Sequence, residues 1–215
     1  MRKAIAVILT LWAGMVQANE VLIAALGDSL TQGYGLVQDE GFVPQLERWL
    51  REQGADVRLI NAGVSGDTTA GGLSRVGWTL TPDVDAMIVT LGGNDLLRGL
   101  SPEQARGNLE AILQAAQAAG VEVLLIGMQA PGNFGPEYKA QFDALYPELA
   151  EAYGTLYLES FFAGLSEDGT VPDPATLGEW FQADAIHPNA AGVARIVQGI
   201  GPKVMELIGQ VQVGG

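Results

Sequence analysis

The chain has 215 residues, a formal net charge of −14, one histidine and no cysteine, and 48% of its residues are hydrophobic. That apolar content excludes disorder, and the length suits one domain with a substantial core. The acidic balance argues against nucleic acid or an anionic membrane as a main partner, and the lack of cysteine excludes disulfides, thiolate metal sites and a cysteine nucleophile.

In chain order, Arg2 and Lys3 precede an apolar stretch over residues 4–16, and Val16-Gln17-Ala18 places small or apolar residues where a signal peptidase reads. This predicts a secretory signal over 1–18, cut after Ala18, and a single soluble domain over 19–215 that is periplasmic or secreted. No later stretch is apolar enough for stable membrane insertion. Short apolar runs follow at 21–26, 57–60, 86–91 and 121–127, with a weaker one at 155–158. Their β-branched content favours strands, and their continuous apolarity predicts burial on both faces.

Helical patterns lie between these runs. Phe42, Val43, Leu46, Trp49 and Leu50 share one helical face, and Ser101-Pro102-Glu103-Gln104 reads as a capping box with proline in the first turn. The helix it opens carries Leu109, Ile112, Leu113 and Ala116 on one side and stops at Gly120. A helix is expected from about 136 to 152, and a final one carries Val193, Ile196, Val197, Ile200, Val204 and Leu207, with Gly199, Gly201 and Pro202 as points where it could bend. Residues 159–183 show no clear period and are expected to form an ordered loop region. Strand–helix alternation with five strands predicts a flavodoxin-like three-layer α/β/α sandwich, with a parallel sheet in the order 2-1-3-4-5.

The carboxyl ends of such strands form one rim, where ligands bind. Gly27-Asp28-Ser29-Leu30 follows the first strand, Ser65-Gly66-Asp67-Thr68 the second and Gly92-Gly93-Asn94-Asp95 the third, while Asp184-Ala185-Ile186-His187-Pro188 precedes the last helix. If Ser29 is a nucleophile, His187 is the sole imidazole available as its base, and Asp184, three residues earlier, is the natural orienter. The Ser29 and Gly66 backbone N–H groups and the Asn94 amide can serve as oxyanion donors. Taken singly, each piece also has an ordinary structural use: Asp28-Ser29 as a helix cap, Gly66 as a turn glycine, Asn94 as a turn or cap residue, His187 as a structural histidine. Asp28, Asp67 and Asp95 suit loop support better than chemistry. Phe161, Phe162, Trp180 and Phe181 read as core, although Trp180 and Phe181 lie near enough to His187 in sequence to line an acyl pocket.

Taken together and in this order, the four blocks resemble the SGNH (GDSL) hydrolase family, and within it the bacterial thioesterase/lysophospholipase and arylesterase branch. The resemblance runs from Leu26 to the last helix. It implies that Ser29, Gly66, Asn94 and His187 are the four namesake residues, that Asp184 completes a triad, and that neither a metal nor an organic cofactor is required. The expected activity is hydrolysis of short- to medium-chain acyl esters or thioesters through an acyl-enzyme, by a chain expected to be monomeric. A carbohydrate O-deacetylase would share the same blocks. The uncharged segment Met128 to Phe134 leans towards acyl chains instead. A non-catalytic exported binding module is the third reading.

Overall fold

The computed structural model describes residues 20–166 and 178–214. The expected signal over 1–18 and the middle of the 159–183 region therefore lie outside the described residues. Five parallel strands, β1 (Val21–Gly27), β2 (Val57–Gly63), β3 (Ala86–Thr90), β4 (Glu122–Ile126) and β5 (Leu156–Leu158), form one sheet in the order β2-β1-β3-β4-β5. That is the flavodoxin-like order. β1 is registered against both neighbours, with Gly27 beside Gly63 of β2 and Thr90 of β3, so the first three site-bearing loops leave the sheet at one level.

Helices cover both faces. α2 (Phe42–Glu52) packs with α7 (Ala190–Gly214) on one, and α3 (Thr69–Thr79), α5 (Pro102–Ala119) and α6 (Pro136–Tyr153) on the other. Two short helices, α1 (Ser29–Gln32) and α4 (Gly93–Leu97), stand directly on the strand ends. The core joins the strand residues Ile23, Leu26, Ile88 and Leu124 to Phe42, Leu109, Phe142 and Ile200 from the helices.

Burial on both faces holds for β1 and β3, every residue of which is buried. It does not hold for β2. There Val57 and Leu59 are buried while Arg58 and Ile60 are exposed, because an edge strand is covered on one face by α2 and open on the other. The expected capping box is also incomplete: Ser101 precedes α5 but makes no side-chain cap bond, and the helix starts on Pro102. Gly120 closes α5 in the left-handed conformation, as the sequence predicts. α7 runs through Gly199, Gly201 and Pro202 as one helix. These glycines serve close packing: a Cβ at Gly201 would meet the Trp49 ring at 2.4 Å, and one at Gly199 would meet the Gly164 backbone at 2.6 Å.

Candidate active site

Ser29 leaves β1 at the first turn of α1. Asp28 caps that turn by accepting the Leu30 N–H on Oδ1 at 3.0 Å. Gly27 must be glycine here, since a Cβ would lie 2.0 Å from Thr31 Oγ1 and 2.9 Å from Thr90 O. Burial raises the Asp28 carboxyl to about 6, against the opposing pull of the Leu30 N–H and the Asn94 amide.

His187 reaches this turn from the far end of the chain. Its Nε2 lies 2.8 Å from Ser29 Oγ, and its Nδ1 lies 2.7 Å from Asp184 Oδ2. The other Asp184 oxygen, Oδ1, accepts the backbone N–H groups of both Ile186 and His187 at 3.0 Å. These bonds, led by the His187 N–H, hold the Asp184 carboxyl down at about 2 although the residue is well exposed. The turn between them needs Ala185 at φ 55°, the sole non-glycine residue with positive φ among those described. Phe181 and Pro188 form an antiparallel bridge, and Asn189 accepts the Gly192 N–H at 3.0 Å at the start of α7. Asp184 and His187 thus sit at the tip of a short hairpin fastened to the last helix.

The turn after β2 presents Gly66 with φ 82°, a left-handed conformation that glycine adopts without strain. Arg75 fastens this turn, donating to Asp67 Oδ2 at 2.6 Å, to Ala62 O at 2.5 Å and to Gly27 O at 2.7 Å. Arg98 donates to Gly66 O at 2.8 Å. Asn94, at the start of α4, donates its amide to Asp67 O at 3.0 Å and to Asp28 Oδ2 at 3.3 Å. Asp95 accepts from Thr69 N and Oγ1 at 2.8 and 2.7 Å, tying α3 to α4. All three aspartates therefore support loops, and none of them enters the Ser29–His187–Asp184 chain.

Ser29, Gly66, Asn94 and His187 line one cavity of about 240 Å³, with Tyr34, Leu97 and Ile186 at its walls. A second cavity of about 460 Å³ adjoins it through the shared residues Gly93, Leu97 and Ile186, and is walled by Met128, Ala130, Pro131, Phe162 and Phe181. The aromatic cluster therefore divides. Phe161 is core, Phe162 and Phe181 face the cleft, and Trp180 turns instead to Arg195, 4.8 Å from its ring centre. A larger cavity of about 1080 Å³ runs between α2, β2 and the turn after α1, and shares Tyr34 with the cavity at Ser29. Size does not select it as the active site, because it holds no nucleophile with a base in reach. No group of three or more histidine, aspartate and glutamate side chains able to hold a metal ion occurs among the described residues.

Comparison with known proteins bears on the same residues. Residues 25–195 match the GDSL-like Lipase/Acylhydrolase family. The chain belongs to this family. It is a hydrolase acting on ester bonds, which sets the binding-module reading aside. Over 193 residues it is 37% identical to a protein named Esterase TesA from Pseudomonas aeruginosa, covering 89% of this chain and 92% of that one. It is 36% identical over 174 residues to the Thioesterase 1/protease 1/lysophospholipase L1 of Escherichia coli K12, covering 80% and 76% of the two chains. Among solved structures it resembles AlinE4, an SGNH-hydrolase family esterase, at 43% identity and a TM-score of 0.70, over 87% of this chain and 96% of that one.

The sequence points to the rim where Ser29, Gly66, Asn94 and His187 gather. It does not point to Tyr34, Gln182, Arg75 or Arg98. Apart from the Tyr34 ring and the Arg75–Asp67 pair, these residues act on backbone carbonyls, and a carbonyl acceptor leaves no mark in a sequence.

Proposed function

We propose that this chain is an exported serine esterase acting on acyl esters and thioesters with apolar acyl groups, lysophospholipids among them, by way of a Ser29 acyl-enzyme. The observation that carries this reading is the unbroken chain of short contacts from Ser29 Oγ through His187 to Asp184, opening onto an apolar cleft. Ser29 Oγ attacks the acyl carbonyl carbon while His187 Nε2 takes its proton. Asp184 holds the Nδ1–H tautomer and stabilises the imidazolium. The tetrahedral oxyanion receives hydrogen bonds from the Ser29 and Gly66 N–H groups and from Asn94 Nδ2. Collapse breaks the bond to the leaving oxygen or sulfur, which takes the proton from His187. Water then repeats the sequence on the acyl-enzyme, and Ser29 is regenerated.

The walls of the second cavity favour an acyl chain over a sugar, since Leu96, Leu97, Met128, Phe162, Phe181 and Ile186 make them mainly apolar, with Gln129, Asn133, Lys139 and Ser160 a polar minority. The segment after β4 that is free of charge in the sequence supplies Met128, Ala130 and Pro131 to these walls. The residue pattern over 1–18 supports export to the periplasm or beyond, and none of the described helices is long and apolar enough to cross a membrane.

A p-nitrophenyl ester series from acetate to palmitate, with Ser29→Ala as control, tests this reading. Expected is hydrolysis of short to medium chains that vanishes in the variant. Activity that survives in Ser29→Ala, or cleavage of acetylated oligosaccharides alone, would overturn it.

A further inference from the structure

Tyr34 lies at the turn that ends α1, where its N–H donates to Ser29 O at 3.1 Å. Its ring rests on the His187 imidazole, with centroids 4.6 Å apart and planes inclined by 39°. The side chain is 51% exposed, so burial in the core does not account for its place. Gln182 does. Its Nε2 donates to Tyr34 O at 2.8 Å and to Pro188 O at 3.0 Å, while its backbone N–H donates to His187 O at 2.8 Å. A Cβ on Gly35 would stand 2.1 Å from Gln182 Oε1, so the amide lies directly against the turn. One glutamine thus ties the segment that holds the nucleophile to the hairpin that holds the base, and Tyr34 is clasped at the joint.

We infer that Tyr34, anchored by Gln182, is a positioning residue for His187. The hydrogen bonds to Ser29 and Asp184 lie in the imidazole plane and fix its two nitrogens. They leave the ring free to tip about the line joining those nitrogens, and a second ring lying against it at 4.6 Å, inclined by 39°, opposes that motion. The same π-face lies beside the positive charge that the imidazole gains in the transition state, within the range of a cation–π contact. The charged groups that face His187 are Asp184 from its own hairpin and Asp28 from the end of β1. Tyr34 adds a neutral aromatic surface to these two carboxylates.

The inference rests on Ser29 and His187 acting as proposed above, and the experiment separates the two. Tyr34→Leu removes the aromatic face but keeps an apolar side chain at a half-exposed site, so the fold survives. It is expected to lower kcat by roughly 10-fold or more at nearly unchanged KM, in keeping with the cost of small misplacements of a catalytic group. Tyr34→Phe keeps the ring and restores kcat, and Gln182→Ala lowers kcat in the same sense as Tyr34→Leu. The lone histidine gives a single imidazole NMR signal that needs no assignment variants. It is expected to show a nuclear Overhauser contact to the Tyr34 ring in the wild type and to broaden in Tyr34→Leu. Wild-type kcat in Tyr34→Leu, or a rise in KM alone, would overturn the inference while leaving the nucleophile in place. Activity that persists in Ser29→Ala would instead overturn the reading beneath it.

Discussion

Asn94 Nδ2 donates to Asp28 Oδ2 over 3.3 Å, the longer of its two hydrogen bonds, the shorter being the 3.0 Å bond to Asp67 O. In the proposed mechanism the arriving oxyanion displaces the longer bond while the shorter one keeps the amide aimed. Asn94→Ala is expected to lower kcat by roughly 10²–10³ with little change in KM, as loss of one oxyanion donor does. Steady-state kinetics decide this. A large rise in KM at constant kcat would make Asn94 a residue that binds the ground state.

Ser29 is expected to take up one equivalent of an organophosphate with complete loss of activity, because among the described residues it alone has an imidazole nitrogen 2.8 Å from its hydroxyl. Peptide mapping that placed the adduct elsewhere would remove it as nucleophile. Activity is expected to survive EDTA, since the described residues offer no metal cluster. Loss that added metal restores would contradict the mechanism.

Asp184→Asn is expected to lower kcat by roughly 10³–10⁴ by disturbing the imidazole tautomer, with the fold intact. Steady-state kinetics and circular dichroism check the two halves of this, and an unchanged kcat would remove Asp184 as the orienting group.

Asp28 gives the fold a pH dependence of its own. Its folded value, about 6, stands above the ordinary 3.8, so between those values the folded state holds a proton that the unfolded chain has released. Stability from this group therefore falls as pH rises from about 4 through 6, by roughly 3 kcal/mol at most. Asp184 has the opposite sign and a separate window: it stabilises above about 4, and that contribution is lost as pH falls towards 2. Urea unfolding at pH 4 and pH 7.5 is expected to show Asp28→Asn gaining on the wild type at the higher pH. A difference between the two proteins that did not change with pH would contradict the burial argument.

The sequence reveals the sheet where burial is uniform and misreads it where burial is not. β1 and β3 are sealed on both faces and read as such, whereas the edge position of β2 is set by tertiary order, which no local pattern carries. Ser101 shows a similar limit, because a capping box names residues that could bond and not the rotamer that does. At the site, Ser29, Gly66, Asn94, Asp184 and His187 stand out because each follows a strand or precedes a helix in a distinct motif. Tyr34 and Gln182 do not, since their pairing joins residues 148 apart and depends on a backbone oxygen.

Ser29 and His187, the proposed nucleophile and base, are 158 residues apart, one on the turn after the first strand and the other at the foot of the last helix. A chain emerging from a ribosome or a translocation pore therefore carries its serine long before its histidine arrives. In a refolding experiment, the recovery of ester hydrolysis marks the moment at which the C-terminal helix docks and the two ends of the polypeptide meet.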